Sequence, residues 1–165
     1  MKIRFDVNDA SLRDTFLKTF FFGALDPLGL EARPRWGSMS AQQMVEHLLW
    51  AFEGSTGRVE IACSYPADQL PRLKAFLQHN RPTPQGFRNP ALEAGLPALR
   101  FPDLRAARAA LLVEVDRFLD HARTQPDAIH VHPIFGPIGM EDWSRTHFKH
   151  GCHHLLQFGL AELEP

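Results

Sequence analysis

An all-α fold, arranged as a four-helix bundle, follows from three observations. Four stretches place apolar residues at three- and four-residue spacing, the period of an amphipathic helix. No stretch alternates apolar and polar residues strictly enough to argue for a sheet. Proline recurs at positions 66, 71, 82, 84, 90, 97 and 102, so 58–102 reads as one long connection between the second and third stretches. Short loops join antiparallel neighbours, whereas a connection of this length lets the helices it joins run parallel. The 165 residues are read as a single domain over 1–165.

The first helix begins near Asn8, Asp9 or Ser11, any of which can cap free backbone donors. Leu12, Phe16, Leu17 and Phe20 form its stripe, and it stops around Gly23. Phe20, Phe21 and Phe22 give it a wider apolar surface than one core face needs, which suggests a homodimer interface or a buried loop contact. The second helix opens at Ser40-Ala41-Gln42-Gln43, a capping box in which serine and glutamine satisfy each other's backbone donors. Met44, His47, Leu48 and Ala51 share one face, and Gly54 and Gly57 mark the end. Within 58–102 only 71–78 suits a short helix, with proline in its first turn, and 58–63 suits a short strand. Leu104, Ala107, Leu111, Val115, Phe118 and Leu119 define the third helix, from about 103 to 123. The fourth starts with acids at Glu141 and Asp142, suited to a helix N-terminus, and reaches 161 or 162.

Composition excludes several classes of function. Lys plus Arg total 18 against 19 Asp plus Glu, a net charge of −1 that lacks the footprint of a nucleic-acid partner. No run of ~18 apolar residues offers a membrane span. Two cysteines, Cys63 and Cys152, make no disulfide framework and fit a reducing compartment. The first residues lack the apolar core of a secretory signal. Together these features lead us to expect a cytoplasmic protein.

The chemistry lies in the histidines. There are nine, and His147, His150, His153 and His154 fall within eight positions. On a helical wheel His150 and His154 lie about 40° apart, on a stripe with Trp143, His147, Gln157 and Ala161 but not Lys149. Two histidines four apart on one face can chelate a divalent metal. The glutamate of the zinc-protease helix is absent, because Gly151, Cys152 and His153 intervene. His47, on the apolar stripe of the second helix, is the candidate third ligand. Three neutral imidazoles leave a coordination position open, the character of a catalytic rather than a structural site. Spacing alone leaves two alternatives standing: a solvated histidine-rich face, and a packed core His47.

Three blocks carry a resemblance to a known family: Arg35-Trp36-Gly37-Ser38-Met39-Ser40-Ala41-Gln42-Gln43-Met44-Val45-Glu46-His47; His132-Pro133-Ile134-Phe135-Gly136; and Trp143 onward through Lys149-His150-Gly151-Cys152-His153-His154-Leu155-Leu156-Gln157-Phe158. In these the chain resembles the DinB/YfiT-like superfamily of metalloenzymes, in particular a branch known as a domain of unknown function. The resemblance implies a bundle running up-down-down-up, and a divalent metal, most often nickel or zinc, held by His47, His150 and His154. The superfamily commonly follows its last ligand with Arg-Gly-Gln, where this chain has Leu155-Leu156-Gln157 and keeps only the glutamine. Relatives in that superfamily include transferases joining small thiols to electrophiles and a thiol-dependent isomerase. A divalent-metal-dependent S-transferase or isomerase, with a small-molecule thiol and an electrophile as partners, is the function this implies. The alternative is a non-catalytic metal-binding bundle with a structural or sensing role.

Other residues have weaker claims. His132 and Gln157 are the candidates for a catalytic part, His132 as an acid-base group or as a brace for its turn. His147 is a possible fourth ligand or a packing residue, and His79, His121 and His130 read as solvent-facing. Trp36 suits either an anchor or a pocket rim. Arg33, Arg35 and Arg88 can hold a substrate carboxylate, and Cys152 faces away from the histidine stripe.

Overall fold

The computed structural model describes residues 1–87, 89–93 and 95–165. Its elements are β1 (Lys2–Ile3), α1 (Ala10–Thr15), a π-helical turn (Phe16–Phe20), α2 (Phe21–Leu25), α3 (Ala41–Ser55), α4 (Leu70–Gln78), α5 (Leu104–Thr124), β2 (Ile129–His132), β3 (Gly136–Gly139), α6 (Met140–Gln157) and β4 (Glu162–Leu163). Short 3-10 turns occupy Ala67–Gln69 and Pro90–Leu92. The chain is mostly helical, as the periodicity predicts.

Capping chemistry explains the helix starts. Asp9 is the first cap, its carboxylate accepting from the Leu12 N–H at 3.0 Å. Ser40 and Gln43 close the expected capping box, with Oγ accepting at 3.2 Å and Gln43 Oε1 accepting at 2.9 Å. Asp103 caps α5 at 2.7 Å. The first helical stretch continues beyond Gly23 to Leu25 by way of the π-helical turn, whose extra residue re-aims the phenylalanines. Phe16 and Phe21 become core, and Phe20 and Phe22 pack half-buried against it.

Two further expectations are corrected. The fourth helix ends at Gln157, not at 161 or 162, because Gly159 turns left-handed (φ +68°). Its N–H and that of Leu160 then fold back on Leu156 and Leu155 at 3.1 and 2.9 Å, satisfying the last free carbonyls. The residues beyond become β4, which pairs in parallel with β1 (Lys2↔Glu162). Residues 58–63 form no strand; the antiparallel hairpin is instead β2–β3, with His132 opposite Gly136. β3, reading Gly-Pro-Ile-Gly, shows no period of two, and in β2 the alternation Ile-His-Val-His lasts only four residues. The expected short helix at 71–78 is α4.

α3 is buried nearly all round: α5 and α6 cover its apolar side, and the long connection covers its polar side. There Glu46 accepts from the backbone N–H groups of Arg100 and Phe101 at 2.7 and 3.2 Å, and Glu53 takes both arms of the Arg100 guanidinium at 2.6 and 2.8 Å. On the opposite flank the Lys149 ammonium donates to the carbonyls of His79 and Arg81, each at 2.6 Å. The described residues of 82–99 are thus an arch pinned at both feet.

Gly151 sets how closely the first helical stretch approaches α6. A Cβ there would stand 2.9 Å from the Phe16 ring and 3.2 Å from the Phe21 ring. Gly151→Ala should therefore lower stability by about 1–2 kcal/mol, the overpacking outweighing its better helix propensity. A urea midpoint equal to or above the parent's would show the phenylalanine layer to be looser than this packing.

Candidate metal centre

α3 brings His47 against the α6 pair. His150 Nε2 stands 2.9 Å from His47 Nε2 and 3.0 Å from His154 Nε2. The rings of His47 and His150 are nearly perpendicular (84°), so it is ring edges that converge. Three facing nitrogens can share at most one bridging proton, and the remaining lone pairs repel. A cation resolves that conflict. Tetrahedral ligands at ~2.1 Å from an ion lie roughly 3.4 Å apart, so shifts of a few tenths of an ångström would admit one. The donor set fits a divalent borderline metal, and the triad can bind one.

Protonation agrees. Burial, with His153 adding to it, holds His47 down to about 4. Burial likewise holds His150 and His154 well below the usual histidine value, reinforced by their histidine neighbours. All three are neutral at pH 7, the form a metal requires.

Gln157 decides the tautomer of His154. Its amide N–H donates to the Trp36 carbonyl at 2.8 Å, which turns Oε1 toward His154 Nδ1 at 2.7 Å. Nδ1 therefore carries the proton and Nε2 presents its lone pair to the cluster. Gly37 lies directly against this amide: a Cβ there would fall 2.9 Å from Gln157 Nε2, and its φ is +79°.

The triad opens into a cavity of about 1080 Å³, at the upper end of small-molecule sites. One wall is a stripe of α6: Thr146, Lys149, His150, His153, His154 and Gln157. Leu73, Phe76, Ile134, Phe135 and Trp36 make the rest largely apolar, and part of the 82–99 arch roofs it.

A family profile described as the DinB superfamily matches residues 12–158. The chain belongs to the DinB superfamily. No curated protein and no solved structure matches it.

In this DinB-superfamily chain the other histidines divide by packing. His147 is not with the triad: it stacks on Phe52 (ring centroids 3.7 Å apart, 7°), and its Nε2 bonds Ser55 Oγ at 2.9 Å. Ser55 gives its own proton to the Phe52 carbonyl (2.8 Å), so His147 donates from Nε2 and its buried Nδ1 has no partner among the described residues. His153 lines the cavity, with Nδ1 3.4 Å from the Thr83 carbonyl. His132 ends β2, and its Nδ1 accepts from the N–H groups of Ile134 and Phe135 at 3.1 and 3.3 Å. It thus braces the hairpin turn while its ring lines the cavity, and burial pushes it down to about 3. His121 and His130 are half-buried rather than solvent-facing, with their Nε2 atoms 3.0 Å apart, while His79 is exposed.

Trp36 takes part in both of its expected roles, lining the cavity and holding Gln157 through its carbonyl. Arg33 and Arg35 are exposed, and Arg88 lies outside the described residues. Cys152 is buried, and burial pushes its thiol up, away from the reactive thiolate. Lys149 is the residue the sequence reading missed. The wheel set it off the histidine stripe, yet it is 3% exposed and lines the cavity. Its position four residues before His153 was the available signal.

Replacing Gln157 by Leu should weaken metal binding about 10–100-fold with the fold retained, as loss of a bond that orients a ligand does. Competition with a chromogenic chelator measures this, and unchanged affinity would remove Gln157 from the site. His132 yields a pH dependence. Its folded pKa lies below that of the unfolded chain, so the unfolded state binds protons first and stability falls with pH below ~6.5, continuing toward pH 3. His132→Asn should flatten urea stability against pH by up to ~1.4 kcal/mol per unit between pH 6 and 4. Parallel profiles would contradict a neutral buried His132.

Proposed function

We propose that the protein is a divalent-metal-dependent enzyme that brings a small thiol to an electrophilic substrate, as an S-transferase or isomerase. Its metal, nickel or zinc, is held by His47, His150 and His154 in a bundle running up-down-down-up. The observation that carries this reading is the convergence of three neutral imidazole edges at the wall of a cavity large enough for two small reactants.

A bound dication supplies a positive centre that favours a thiolate over a thiol at neutral pH. The chain's own residues arrange the rest. Three uncharged ligands leave the charge of the ion uncompensated, so an anionic sulfur is attracted rather than repelled. Gln157 keeps the His154 lone pair pointed inward. The apolar walls thin out competing water, which strengthens electrostatic attraction inside the cavity. His132 is held as a neutral ring by its two backbone donors, and it shapes the cavity end near Phe135.

A purely structural ion is the less favoured reading, because the triad lines the cavity while the apolar core packs as a layer of its own. Leu48, Phe52, Leu111, Phe118, Phe148 and Leu155 are each at most 1% exposed and pack together between the helices. Elemental analysis of purified protein should find about one equivalent of metal, and His154→Ala should lose most of it; full occupancy in that variant rejects the triad. Chelation should shift the melting temperature only slightly. The metal-loaded protein should consume thiol when a panel of small thiols is offered with an aryl halide. Inactivity across the panel together with a large chelation-induced drop in melting temperature would favour the structural ion.

A further inference from the structure

Among the described residues Lys149 is a buried cation without a counter-charge. Its side chain is 3% exposed, its ammonium donates to the two carbonyls of His79 and Arg81, and it lies 4.2 Å over the Phe76 ring. None of the eleven ion pairs among the described residues includes it. Carbonyl dipoles and the ring faces of Phe76 and, at 5.6 Å, Phe5 offer partial charges only, and a buried ammonium is costly unless a full negative charge meets it. Two carbonyls also account for only two of its three N–H donors. Lys149 shares its cavity wall with His150 and His153, and Leu73, Phe76 and Phe135 make apolar parts of the lining.

We propose that the cavity takes an apolar, alkyl or aryl, carboxylate whose anionic end pairs with Lys149 and whose body lies along Leu73, Phe76 and Phe135. This rests on reading the cavity as the substrate site, and it adds the class of the electrophilic partner: a molecule with one acid group, held so that its remaining length runs toward the triad. The two carbonyls fix the ammonium in place before the ligand arrives, so little side-chain entropy is lost on pairing. A carboxylate accepting from a charged donor forms a short, strong hydrogen bond, and a dry cavity strengthens it further.

The same carboxylate could instead ligate the metal, and the experiment separates the two. Calorimetry would compare 4-phenylbutyrate with its methyl ester on the intact chain, zinc-loaded and again after chelation, with circular dichroism confirming the fold each time. The acid should bind roughly ten-fold tighter than the ester in both states, the scale of one charge-assisted bond. That gap should persist in His154→Ala and vanish in Lys149→Met. Equal affinities for acid and ester on the chelated chain would overturn the proposal, as would a gap that survives in Lys149→Met. So would a gap that disappears with the metal, which would mean the carboxylate had bound the ion. Should Lys149→Met not fold, the comparison on the unaltered, chelated chain decides alone. Because that arm contains no metal, it stands or falls separately from the triad.

Discussion

Three imidazole nitrogens pointing at one another, with one proton at most to share among them, are the constraint around which this chain is organised. Such a cluster is unfavourable in a metal-free core, and it persists only because its surroundings leave it no alternative. α3 and α6 are locked side by side by apolar packing. The His154 ring cannot rotate without giving up its bond to Gln157, and Gln157 cannot turn without giving up the Trp36 carbonyl. Burial keeps every member uncharged, so the cluster cannot relieve itself by protonation near neutral pH. The three nitrogens are a donor set that could hold a metal ion.

The long connection completes the site by covering it. At one end the carboxylates of Glu46 and Glu53 hold residues 100 and 101 against α3. At the other, Lys149 grips the chain at 79 and 81. Both grips use groups buried on the helices that also carry the triad. The cavity roof and the histidine triad therefore share a frame, and neither can shift far without straining the other.

The sequence was most legible where local chemistry decides the outcome. Asp9, Ser40 with Gln43, and Asp103 mark helix starts because the free N–H groups there need an acceptor within a few residues. His47, His150 and His154 could be placed on facing stripes for the same reason, since helical period is a local property. The resemblance supplied by three blocks then chose among readings that spacing left open. What was not legible depends on contacts distant in sequence. The hairpin of β2 and β3 forms beneath the cavity because Pro133 and Lys74 tie the region to the connection, which no alternation in four residues reveals. Gly159 was a local signal for the end of α6, but the parallel pairing of the residues after it with β1 was not. Lys149 was placed off the histidine stripe, and the wheel shows directions but not what stands in them. Its two carbonyl partners come from seventy and sixty-eight residues earlier.

Gly37 has no side chain and stands 110 residues or more before the α6 ligands, yet it belongs to the binding apparatus. Any larger residue would enter a backbone region that suits only glycine and would press on the amide latching His154. The orientation of His154 thus hinges on an empty volume as much as on the Gln157 amide. A screen for altered metal content that mutated histidines alone would pass over the place where atoms must be missing.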